Sequence, residues 1–180
     1  AAKGADAFYE GDIAKDVVAA VNAHANAGTL SLEDLAAYRV REVEPLCGTY
    51  RAAKLCGMPP SSSGGIAVLQ ILGELSRFDM AALRPNSAES VHLIAESERL
   101  AYADRGRYVA DDRFVDVPVA GLLDPAYIAS RSQLISAEKS MGVAKAGTPA
   151  GVKVAWADDP VDEVAGTTQI AIIDAEGNAV

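Results

Sequence analysis

The chain has 180 residues, half of them apolar, and 16 basic against 25 acidic residues give a net charge of −9. That size suits one domain, or one piece of one, with a sizeable core, while the negative balance repels phosphate backbones and argues against broad binding to nucleic acid or anionic lipid. No apolar run approaches the ~20 residues that span a bilayer, and residues 1–10 lack the basic start and apolar middle of a signal peptide, so the chain reads as soluble.

In chain order, Ile13, Val17 and Val21 recur at helical spacing and predict an amphipathic helix over 12–27, with Gly28 as its stop. Ser31 precedes Leu32-Glu33-Asp34, a pattern in which the hydroxyl takes a free backbone N–H and Asp34 answers it; a short helix to about Tyr38 follows. Between Val40 and Met58 the pattern turns to strand, with a reversal at Arg51-Ala52. Counting outward from that reversal pairs Tyr50 with Ala53 and Cys47 with Cys56. The cysteines then share a non-hydrogen-bonded position where Cα atoms approach to ~4.5 Å, within reach of a disulfide. Two reduced cysteines serving as small apolar residues fit the same pattern, and both readings stand.

Pro59 to Gly65, PPSSSGG, is a loop whose serines are placed to cap a following helix with Ile66, Leu69, Leu72 and Leu75 on its buried stripe. It is not a phosphate loop, because the lysine and Ser/Thr of that motif are missing. Asn86, completed by Glu89, predicts a long helix through about Tyr108 with Val91, Ile94, Ala95 and Tyr102 along one face. Asp124-Pro125 opens another to Ser136. From Ala137 to Ala165 no period is visible, which predicts an exposed or loosely ordered stretch anchored locally by Trp156. Thr167 to Ile173 reads as a strand, and Asp174-Ala175-Glu176-Gly177-Asn178 as a reversal. A return strand of two or three residues leaves its partner unsupported, so the sequence is expected to be a piece of a longer chain.

Few residues point to chemistry by themselves. His24 and His92 fall in predicted helices without a second ligand at metal spacing, and Cys47 and Cys56 lack another cysteine pair, so neither a metal nor a cofactor is expected. Asp111, Asp112 and Asp116 form an acidic loop of the kind that is ordinarily solvated. Thr167 is an ordinary strand residue unless the Gly166–Thr167 bond is cut. A cut would give the hydroxyl an α-amine on the same residue, with an ordinary pKa of ~7.7 to 8.0, able to accept its proton near neutral pH.

Several stretches in order resemble γ-glutamyltranspeptidases: FYEGDIA at 8–14, LEDLAAY at 32–38, PLCGTYR at 45–51, MPPSSSGGI at 58–66, ILGELSRFDM at 71–80, LAYADR at 100–105 and GTTQIAIIDAEGNAV at 166–180. The resemblance implies an α+β fold of the N-terminal-nucleophile hydrolase class, layered αββα, of which this chain is a mostly helical segment with a β-hairpin and a C-terminal strand. It implies that residues 1–166 end a large subunit and 167–180 begin a small one, with self-cleavage between Gly166 and Thr167. Thr167 would then be the catalytic nucleophile toward glutathione or a related γ-glutamyl donor, passing the acyl group to water or an amino acid or peptide acceptor. Gln169 departs from the family, which often has His there. The carboxylate-binding arginine and the oxyanion groups of the family fall outside these residues, so glutaryl acylases and poly-γ-glutamate-processing members stay open. The resemblance also implies export to the periplasm or beyond, and partnership with the remaining subunit segments. By itself the chain is expected to be non-catalytic, its Gly166–Thr167 bond intact. Asp104 and Arg105 are expected to organise helix packing or an ion pair.

Overall fold

The computed structural model describes residues 4–152 and 170–178, and the chain divides into two units, Ala1–Val43 and Glu44–Val180. In the first, α1 (Asp6–Tyr9), α2 (Asp12–Asn22) and α3 (Leu32–Ala37) follow one another. α2 stops at Asn22, five residues before the predicted end at Ala27, and His24 lies beyond it. The reason is local: the Asn26 backbone N–H donates to His24 Nδ1 at 3.0 Å, a side-chain bond that competes with the next helical turn. α3 starts as the sequence requires. Ser31 Oγ accepts from Asp34 N–H at 3.1 Å and Asp34 Oδ2 accepts from Ser31 N–H at 2.9 Å, a reciprocal cap whose hydrogen bonds hold the Asp34 carboxyl below its ordinary pKa. Tyr9 and Tyr38 stack with ring centroids 5.5 Å apart.

The second unit opens with an antiparallel hairpin of β1 (Leu46–Tyr50) and β2 (Ala53–Gly57), in the register that the count from Arg51-Ala52 requires. Arg51 takes φ 53°, the left-handed conformation a two-residue reversal demands, so the turn forms despite its poor composition. Cys47 and Cys56 face each other with Cα atoms 4.1 Å apart and are joined as a disulfide.

Among the described residues four helices follow: α4 (Gly64–Leu75), α5 (Ala88–Tyr108), α6 (Val119–Leu122) and α7 (Pro125–Ser132). α4 lies at the centre, packed on α5, α7 and the hairpin. Being covered on several sides, it buries Gln70 and Glu74 as well as Ile66, Ala67 and Leu75, while Leu69 and Leu72 are only half-buried. Its predicted serine cap does not form; Ser63 Oγ instead accepts from Arg105 Nε at 2.9 Å. α5 is capped by Ser87, one residue after Asn86, whose φ of 58° leads into the helix. Its buried face is also rotated from the prediction: Ser90, Leu93, Ser97, Leu100, Ala101, Asp104 and Tyr108 point inward, and Val91, Ile94 and Tyr102 are exposed. Asp124 Oδ1 caps α7 by accepting from Tyr127 N–H at 2.9 Å. α7 ends at Ser132, not Ser136, because Leu134 and Ile135 bond back three residues and tighten the last turn. Two apolar clusters fill the interior, one of Leu75, Leu93, Leu100 and Ile135 and one of Ile66, Tyr108 and Leu122; each fully buried Leu or Ile contributes about 1.5 to 3 kcal/mol.

Among the described residues after Val152, Ile170 to Asp174 form no paired strand beyond a single bridge at Ile173, and Ile170, Ile172 and Ile173 are exposed. A ladder needs a neighbour to satisfy its backbone groups, and none of the described strands lies beside these residues. The expected reversal does form, with Gly177 at φ 86°. Asp174 accepts from Asn178 N–H at 2.8 Å and from Glu176 N–H at 3.1 Å. Those bonds, with the Asn178 side chain foremost, hold the Asp174 carboxyl below its ordinary pKa.

Candidate functional site

Gly166 and Thr167 lie outside the described residues, as does Trp156. What the structure defines is the approach to them. Residues 137–152, expected to be exposed or loosely ordered, are strapped along α5 by side chains that act on the main chain of the strap. His92 Nε2 bonds with Ser136 O at 2.8 Å. Glu96 accepts from Met141 N–H at 2.6 Å and from Ser140 Oγ at 2.7 Å, and Arg99 donates to Gly142 O at 2.8 Å. Asp104 Oδ1 accepts from Gly147 N–H at 2.8 Å, and Tyr108 donates to Gly147 O at 2.7 Å. From α7, Arg131 donates to Lys145 O at 2.7 Å.

The strap runs parallel to α5 in a compact, irregular path. It advances from residue 136 to 147 while the helix advances from 92 to 104, a rise of about 18 Å at 1.5 Å per residue. Its last described residues lie against the second core cluster, where Pro149 is fully buried and Val152 packs near Ile66, Tyr108 and Leu122. Two glycines permit this closeness: a Cβ at Gly121 would collide with Ala150 O, and one at Gly147 with the Tyr127 hydroxyl.

Asp104, fully buried, is the hub of the interior. Its carboxylate accepts from Tyr127 OH at 2.7 Å and Gln70 Nε2 at 3.2 Å, and pairs with Arg131 at 3.3 Å. The expected ion pair of the LAYADR stretch therefore exists, but its cation is Arg131 of α7, while the neighbouring Arg105 reaches Ser63. Burial, reinforced by the Asp104 carboxylate, raises the Tyr127 hydroxyl far above its ordinary pKa, so it is a hydrogen-bond donor and not a base. Glu74, fully buried, accepts from Ser97 Oγ at 2.8 Å through one oxygen only. Burial pushes its carboxyl up to about 7, against the pull of the Ser97 hydroxyl and the Arg131 guanidinium. For Glu96, burial opposes ionisation, but the Met141 N–H, the Ser140 hydroxyl, His92 and Arg99 outweigh it and hold the carboxyl below its ordinary value.

The other residues singled out from the sequence do not gather. His24 and His92 are in separate units, His24 bonding with Asn26 O and His92 with Ser136 O, Asp111 pairs with Arg113 at 3.0 Å, and the described residues contain no group of three metal-ligating side chains. Shallow apolar grooves flank the hairpin beside Cys47 and Cys56, and no titratable group lines them. The residues that do the positioning, Glu96, Asp104, Tyr108, Tyr127 and Arg131, were missed or half-seen. One signal was available: polar residues at 92, 96, 104 and 108 recur at multiples of four, an inclined ridge that winds along a helix.

The sequence model of the Gamma-glutamyltranspeptidase family matches residues 1–180. The glutathione hydrolase proenzyme of Bacillus subtilis (strain 168) is 38% identical over 99% of the chain, which spans 31% of that relative. The acylase ACY 1 proenzyme of Pseudomonas sp. (strain SE83) is 38% identical over 100% of the chain, which spans 30% of it. The solved γ-glutamyltranspeptidase of Pseudomonas nitroreducens superposes with a TM-score of 0.69 at 34% identity, covering 80% of this chain and 44% of that one. The chain thus spans about a third of the length of these curated relatives.

Proposed function

Because the chain belongs to the γ-glutamyltranspeptidase family, we propose that the protein containing it is a γ-glutamyl transferase and hydrolase that cuts itself between Gly166 and Thr167 and uses Thr167 as its nucleophile. The observation that carries this is the family match across the whole chain; Gly166-Thr167-Thr168 supplies the Thr-Thr pair at which, by the resemblance, a small subunit would begin. On this reading residues 1–166 close the large subunit, 167–180 open the small one, and the complete protein has the layered αββα fold.

The chemistry follows from the residue. Cleavage frees an α-amine on Thr167 that takes the hydroxyl proton as Oγ attacks the γ-glutamyl carbonyl of glutathione or a similar donor. The amide C–N bond breaks, the departing amine receives the proton, and a threonyl ester remains. Water or the amine of an amino acid or peptide then attacks that ester and regenerates the hydroxyl. Export to the periplasm or beyond suits a family member of this kind. A glutaryl acylase is the second reading, supported by the acylase proenzyme relative at the same identity as the glutathione hydrolase.

Intact mass and N-terminal sequencing of the full-length protein, compared with its Thr167→Ala variant, test the proposal. The wild type should yield a fragment beginning at Thr167 and hydrolyse a γ-glutamyl anilide, while the variant should do neither. Retained turnover in the variant would overturn the assignment. Comparing γ-glutamyl and glutaryl anilides separates the two readings.

A further inference from the structure

We propose that the Cys47–Cys56 disulfide is a modification site for low-molecular-weight thiols, at which the incoming thiol becomes attached to Cys47 and Cys56 departs as the thiolate; this does not depend on the function proposed above. Both cysteines are exposed and stand on the outer face of the hairpin, while the alternate residues Leu46, Gly48, Tyr50, Leu55 and Gly57 are half-buried. A thiolate reaches such a bond without any unfolding, and exposed disulfides are the labile ones. The hairpin stays formed when the bond opens, because its ladder runs from Leu46↔Gly57 to Tyr50↔Ala53 and both strands rest on α4.

The two sulfurs differ in what α4 presents to them. A Cβ at Gly57 would stand 2.7 Å from the Gly65 Cα, so the residue after Cys56 lies on the first turn of α4, whereas one at Gly48, the residue after Cys47, would stand 2.8 Å from a Leu69 methyl, further along the helix. The positive end of a helix favours a nearby thiolate and its effect fades within the first turn, which makes Cys56 the better leaving group by about two- to fivefold. Lys54 is two residues from Cys56 and diagonally across from Cys47, so it favours either thiolate and does not choose between them. In the exchange RS⁻ attacks Cys47 Sγ, the Sγ–Sγ bond breaks, its electron pair passes to Cys56 Sγ, and that thiolate takes a proton from solvent. A second RS⁻ attacking the attached thiol's sulfur releases RSSR and leaves both cysteines reduced, so two thiols are oxidised for one disulfide reduced. The attached group has a groove of about 370 Å³ beside Cys47, lined by Thr49, Leu69, Ser76 and Ile128 among others.

The test treats the full-length protein with 2-mercaptoethanol, a neutral thiol, once in buffer and once in urea above the unfolding midpoint. Samples are quenched in acid, free thiols are capped with N-ethylmaleimide, and tryptic peptides are weighed; Arg51 and Lys54 lie between the two cysteines, so cleavage there puts them on separate peptides. In buffer the mercaptoethanol adduct should sit on Cys47, with Cys56 capped, about two to five times as often as the reverse, while the ellipticity at 222 nm stays unchanged. In urea, where α4 is lost, the two adducts should approach equal amounts. Exchange that occurs only in urea overturns the inference, because the folded hairpin then shields the bond. An even split in buffer, or an excess on Cys56, overturns it as well, because α4 then does not select the leaving sulfur.

Discussion

Raising the pH from 4.5 to 8 should weaken the fold through Glu74. Its carboxyl is raised from 4.5 to about 7 in the folded chain, so between those values the folded state binds a proton that the unfolded state has released. The stabilisation this gives is complete below the unfolded value, declines as pH rises toward 7, and is gone above it. The interval is 7 − 4.5 = 2.5 pH units, worth about 3 kcal/mol at about 1.4 kcal/mol per unit. Glu74→Gln replaces the titrating acid by a neutral group of the same shape that still offers an oxygen to the Ser97 hydroxyl. Urea unfolding of both chains, followed by ellipticity at 222 nm at pH 4.5, 6 and 8, isolates the contribution, because Asp34, Asp104, Arg131 and every other ionisable group are common to both. The variant should gain on the wild type by about 3 kcal/mol across the series. A difference that stays flat from pH 4.5 to 8 refutes the reasoning and means Glu74 is ionised throughout.

Further expectations concern the hairpin and the first unit. Thiol titration under denaturing, non-reducing conditions should count no free thiol, and two after reduction. The double variant Cys47→Ser with Cys56→Ser should lose up to about 2.5 kcal/mol, the loop-closure value for a separation of 9 residues; an unchanged midpoint would mean the reversal at Arg51 already fixes the hairpin. Ser31→Ala should cost α3 about 1 kcal/mol, read as faster amide exchange over Leu32–Ala37, and unaltered exchange there would show that the cap contributes nothing.

Local signals were read well because they depend on nearest neighbours. The reciprocal cap of Ser31 and Asp34, the Asp124 cap and the hairpin register all rest on residues within eleven positions of one another. Faces were read less well. The apolar period of α5 favoured Val91, Ile94 and Tyr102, yet the helix turned Ser97 and Asp104 inward, because buried polar groups that find partners compete with apolar ones for the interior. Those partners, Glu74, Gln70, Tyr127 and Gly147, come from segments 23 to 43 residues away, and no local window contains them. The strap looked unstructured for the same reason: its order comes from bonds to α5, not from any period of its own. Thr167 drew its meaning from the family resemblance alone.

The spacing of those strap bonds bears on how the segment forms. Each joins residues of nearly equal separation: 44 for His92 with Ser136, 45 for Glu96 with Met141, 43 for Arg99 with Gly142 and for Asp104 with Gly147, and 39 for Tyr108 with Gly147. The first contact therefore bears the entropy of closing a loop of that size, and each later one adds little. The strap should behave as a zipper with one costly step. In amide exchange, Met141 and Gly147, six residues apart and bonded to different side chains, should open together at a single rate and a single denaturant dependence, as one cooperative unit.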